Sequence, residues 1–154
     1  MKKYESYKKR AEKYIKRADH VLNVTYPLVQ EPKILKYVLV NVYKAVYEAV
    51  AMILYYERER KNIVPFHENY DIMLTRLPQV LRKHKLSLDY IKFLKTIGKT
   101  VKNQKEAPVE FVRKDKFVFA SRNYNLEVVS DEQIKDYLIK AKFFINQLLG
   151  VVNE

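Results

Sequence analysis

The stretch from Pro32 to Asn62 constrains this chain more than any other. It holds no glycine and no further proline after Pro32. Its apolar positions are Ile34, Leu35, Val38, Leu39, Val42, Tyr43, Val46, Ala49, Val50, Ile53 and Leu54. They recur at i, i+3, i+4 and i+7, the spacing of one helix face. Val40, Ala45, Ala51 and Met52 lie off that stripe, so the helix is apolar around most of its circumference. Such a helix must be surrounded by other helices. Lys36, Asn41, Lys44 and Glu48 interrupt it, which argues against a membrane span.

The remaining segments supply the wrapping. Lys3 to about Tyr26 reads as helix one, with Ala11, Tyr14, Ile15, Ala18, Val21 and Leu22 on its apolar side. Lys9, Arg10, Lys13, Lys16 and Arg17 are placed on the opposite side. Pro27 and Glu31-Pro32 turn the chain into the central second helix. Helix three is expected from His67 to Lys85, with a kink or break at Pro78. Helix four follows a cap at Ser87 and runs to about Lys105. Val109–Val112 and Phe117–Ala120 alternate as two short strands about a polar turn. The last helix starts at a Ser130 or Asp131 cap and stops at Gly150. The fold class expected is all-α: residues 1–154 form one domain, an up-and-down bundle of about five helices around the long second one. A short β-hairpin fits between helices four and five.

Composition narrows the function classes. The chain has 154 residues, no cysteine and two glycines. That excludes a disulfide framework, a thiolate metal site and glycine-rich phosphate loops, and it predicts a cytoplasmic protein. The N-terminus lacks the apolar core of a secretory signal. The three histidines have no metal-ligand spacing, and no cofactor or metal is expected. Lysine plus arginine outnumber aspartate plus glutamate by 30 to 18, a net charge of +12. High Lys and Glu is also a thermophile-like composition, but ion-pair networks alone do not need that excess. An anionic partner, most simply RNA or DNA, is the simpler reading, beside that of a merely solvated basic surface.

Four groups of residues carry candidate chemistry. His67, with Arg60 seven positions earlier, suits phosphodiester chemistry: an imidazole to move a proton and a guanidinium to hold a phosphate. The competing reading has His67 padding a helix start and Arg60 paired with Glu57 or Glu59. Arg122, in Ser121-Arg122-Asn123-Tyr124, is either a surface turn residue or an arginine aimed at His67. Asn41, Lys44, Glu48 and Tyr55 share roughly one face of the central helix; with Tyr124 they would line a polar groove, or else form a satisfied network or a solvent-facing strip. Lys92, Lys95, Lys99 and Lys102 make a stripe on helix four, with Arg82, Lys83 and Lys85 just upstream. That stripe tracks a nucleic-acid backbone or is a solvated face.

Three segments resemble the HEPN family, the small helical domains of prokaryotic nucleotidyltransferase partners and toxin systems. They are Asn41–Val50 on the central helix, Pro65–Leu74 with its histidine, and Ser121–Tyr124 followed by the capped Val129–Ile134. The resemblance implies a helical bundle that forms a homodimer and has a nucleotidyltransferase-type partner protein. Members act as metal-independent ribonucleases in toxin–antitoxin systems, or as RNA- or nucleotide-binding modules. Active members carry an Arg, four to six residues, and then a His, and Arg60 and His67 match with six between them. The intervening Lys61–Phe66 segment is apolar and contains a proline, unlike the compact polar motif of active members. A chain departing there would be non-catalytic, with His67 and Arg122 a binding or structural pair. The alternative function is a helical scaffold or dimerisation module that binds a partner protein.

Overall fold

The computed structural model describes residues 2–121 and 123–153. Five long helices and a small sheet form it: α1 (Lys3–His20), α3 (Lys33–Glu59), α4 (Tyr70–Lys83), α5 (Asp89–Glu106) and α6 (Asp131–Val152), with α2 (Tyr26–Val29) one short turn. The strands β1 (Val109–Arg113), β2 (Lys116–Ala120) and β3 (Leu126–Val129) pair antiparallel in the order β1-β2-β3.

The mostly helical bundle around a central helix is the architecture the apolar pattern predicts. α3 is 27 residues long, or about 40 Å. Leu35, Val38, Leu39, Val42, Ala45, Val46, Ala49 and Ala51–Leu54 are fully buried on every side of it. α3 meets the length and hydropathy of a membrane span, yet α1, α4, α5 and α6 cover its surface. One hydrophobic cluster joins residues of all five long helices to Phe117, Phe119 and Val129 of the sheet.

Several boundaries differ from expectation, each for a physical reason. Helix one does not end before Pro27. A π-helical turn, Val21–Thr25, absorbs the strain ahead of the proline, and the helix continues to Val29. Gln30, at φ 54°, then turns the chain. Helix three starts at Tyr70 rather than His67, because Asn69 caps it by accepting from the Ile72 N–H at 3.1 Å. Pro78 neither breaks nor ends α4. It removes one backbone donor, and the buried Leu74, Leu77 and Leu81 hold the helix on both sides of it. Gly150 does not stop α6, which runs on to Val152. The hairpin gains a third strand, with Phe119 opposite Glu127 and Phe117 opposite Val129.

The connection from α3 to α4 is not a tight turn. Residues 62–69 run back along α3, so Phe66 meets Tyr55 at 4.8 Å between rings and Tyr70 meets Tyr43 at 5.1 Å. α4 therefore runs parallel to α3, ending where Lys83 and His84 reach Glu57. α5 returns antiparallel against it. Gly98 makes that contact close: a Cβ there would sit 2.6 Å from the Tyr70 ring. The Tyr70 hydroxyl donates to the Leu94 carbonyl at 2.6 Å.

Candidate nucleic-acid interface

The α1–α3 seam carries a cation–aromatic track. On α1 the residues Lys3, Tyr7, Arg10, Tyr14 and Arg17 succeed one another at steps of four and three, which places them on one helix face. That face meets Lys44, Glu48 and Tyr55 of α3. Lys3 lies over the Tyr55 ring at 4.3 Å, Arg10 over Tyr7 at 4.5 Å, and Tyr7 stacks on Tyr55 at 5.0 Å. Arg10 Nε donates to Glu48 Oε2 at 3.1 Å. Arg10 thus faces the central helix, not the side opposite the apolar stripe as the sequence pattern suggests.

At the upper end of the track three cations converge on one ring. Lys13 and Arg17 each lie 5.8 Å from the Tyr14 centroid, and Lys44 lies at 5.6 Å. Among the described residues, none of the three is within ion-pair distance of a carboxylate. Like charges gathered without a counterion raise the local potential and favour an anion.

Midway, Glu68 fastens the crossing segment to the helices. Tyr7 and Tyr55 both donate to its Oε1, the latter at 3.1 Å, and Tyr47 donates to Oε2 at 3.1 Å. Burial pushes the Glu68 carboxyl up, but the three phenol donors outweigh it and hold the group below the usual glutamate range. Tyr7 and Tyr47 respond in the opposite sense. Burial and the bond to Glu68 push Tyr47 up to about 12 and Tyr7 further still. Burial pushes Glu48 upward, with Arg10 opposing. Tyr7 and Tyr47 therefore keep their protons near neutral pH and serve the carboxylate as donors.

The track begins at an electropositive end of the bundle. There α1 starts and α3 and α4 finish, joined by Lys2–Glu59 at 3.3 Å and Lys83–Glu57 at 2.8 Å. Arg58, Lys61, Arg82 and Lys85 are exposed there, where helix C-termini favour cations. Glu57 is 1 % exposed and also accepts from Asn62 at 2.8 Å and contacts His84 at 2.5 Å. Burial raises its pKa, while Lys83, His84 and Asn62 lower it further than burial raises it.

The residues singled out from sequence fall in different places. Arg60 lies over the Tyr56 ring at 4.3 Å. His67 is exposed between Phe66 and Glu68, both of which contact the helices. No hydrogen bond or ion pair among the described residues joins Arg60 to His67, and Arg122 lies outside the described residues. Lys83 is tied to Glu57, whereas Arg82, Lys85, Lys92, Lys95, Lys99 and Lys102 are exposed. Asn41 is buried, and its amide donates to the Tyr37 carbonyl of its own helix at 2.9 Å. Lys44 and Glu48 face α1, while Tyr124, 89 % exposed, sits on the β2–β3 turn with φ 61°. Comparison with protein-family models, curated proteins and solved structures finds no match. Sequence reasoning missed Tyr7, Tyr47 and Glu68. The alternation of cation and tyrosine along one face of α1 was the available signal; Glu68 had none, because its partners come from two other helices.

Proposed function

We propose that this protein binds single-stranded RNA along the α1–α3 track and does not cleave it. One observation carries the reading: Lys13, Arg17 and Lys44 surround Tyr14 with no carboxylate at ion-pair distance among the described residues. Phosphates are the chemistry that such a cluster accepts. Tyr14 itself is half-buried and supplies the ring an unpaired base would meet, while the Glu68 lock holds the track in place before a ligand arrives. The charge of +12 supports the same ligand class, as does the resemblance to the HEPN family. The absence of an Arg60–His67 contact among the described residues supports binding over catalysis.

The test is fluorescence anisotropy with a labelled oligouridine over a range of salt. Each lost phosphate contact lowers the salt slope by about 0.7 for single strands. A Lys13→Ala, Arg17→Ala, Lys44→Ala variant should flatten the slope by about 2. No binding by the native protein at low salt overturns the reading.

A second reading, a scaffold that binds a partner protein or a second copy, draws on the outer face of the sheet. Val109, Phe111, Leu126 and Val128 share that face by register and are all exposed. Light scattering at several concentrations reads self-association directly.

A further inference from the structure

Away from the residues of the track, side chains of α5, its preceding turn and α6 line a cavity of about 480 Å³. Its apolar lining is aromatic: Tyr90 and Phe93 from α5 and Tyr137 from α6, with Phe93 and Tyr137 at 5.9 Å between ring centroids. The Tyr137 hydroxyl accepts from Gln133 Nε2 at 2.8 Å, so its own proton remains available to a ligand. Thr96 supplies a second hydroxyl. The size falls within the range of small-molecule sites, and a few polar groups converging on an apolar lining are their usual build.

The charges around the mouth select the ligand. Lys140 also lines it but is paired with Asp136 at 3.0 Å. Lys92 and Asp89, both lining residues, have no ion-pair partner among the described residues. One unpaired cation and one unpaired carboxylate suit a planar ring bearing a phosphate at one end and N–H or O–H donors at the other. Lys95 and Lys99 continue from Lys92 along α5, away from the mouth. We infer that the α5–α6 cavity is a nucleotide site, the base packed on Tyr90, Phe93 and Tyr137, the phosphate on Lys92, and Asp89 accepting from the base or the ribose. The ligand class rests on the nucleic-acid reading above, but the site lies on separate helices and is tested separately.

The experiment titrates AMP, adenosine and inorganic phosphate into the ¹⁵N-labelled protein and follows amide shifts, with oligouridine anisotropy run in parallel. AMP should shift residues 87–96 and 137–140, with a Kd on the order of 1 mM or tighter. Thr96→Trp, which brings a large ring into the mouth from an exposed position, should abolish those shifts. Lys92→Ala, a surface change, should weaken AMP about tenfold and leave adenosine unaffected. AMP shifts elsewhere, shifts surviving in Thr96→Trp, or none at all overturn the site. Oligouridine bound without AMP in the cavity overturns the nucleotide site alone. AMP in the cavity without oligouridine binding supports the site and overturns the RNA reading.

Discussion

Tyr7 donates its phenolic proton to Glu68, 61 residues further along the chain. With Tyr47 and Tyr55 also donating to that carboxylate, one acidic side chain fixes the crossing segment against two helices. The position of α4 follows, because Tyr70 begins it two residues later.

Glu68→Gln should therefore destabilise the fold. A neutral amide accepts more weakly and offers only one oxygen to three donors. Each charged hydrogen bond contributes about 1.5–3 kcal/mol when buried, but Glu68 reaches solvent, so the net loss should be about 1–2 kcal/mol. Urea denaturation with an unchanged slope and a lowered midpoint would report it.

Stability should fall on acidification. Glu57 and Glu68 both have folded pKa values below their unfolded ones. Their contribution is present above the unfolded value, about 4.3, and is lost as pH falls through the lower folded values. Glu48 is shifted upward and acts oppositely just above that range. Melting temperatures between about pH 6 and pH 3 should decline more steeply for the native protein than for a Glu57→Gln, Glu68→Gln variant. Equal slopes would contradict the assignment.

Gly98→Ala should lower stability although it adds a better helix former. The helix preference gains about 1 kcal/mol. The new Cβ meets the Tyr70 ring at 2.6 Å, and that ring cannot move freely, being held by Tyr43, Tyr47 and the Leu94 carbonyl. Overpacking costs about 1–3 kcal/mol, leaving a net loss of about 1 kcal/mol by calorimetry or chemical denaturation.

RNA incubated in EDTA should show no cleavage beyond that of an Arg60→Ala, His67→Ala variant. Arg60 packs on Tyr56 while His67 sits further back along α3, past Phe66 and Tyr55. Cleavage by the native protein that the double variant loses would reinstate a catalytic pair.

The sequence by itself determined the helices and their centre. A run that is apolar all around has one stable environment, the inside of a bundle, and Lys33–Glu59 occupies it. Ser130 was readable as a cap because capping is local, whereas at α5 Leu88 takes the cap position and Ser87, one residue earlier, accepts from the Asp89 N–H instead. Tertiary packing decided what local pattern could not. Pro78 stays helical because three leucines anchor it, and Val21–Thr25 unwinds into a π turn ahead of Pro27. The spacing of Arg60 and His67 looked like a pair; the segment between them turns back along α3, and no hydrogen bond or ion pair among the described residues joins the two. The track itself needed the third dimension: Arg17, Lys13 and Lys44 meet at Tyr14 because α1 and α3 pack antiparallel, and periodicity shows which face of a helix is polar without showing what that face meets.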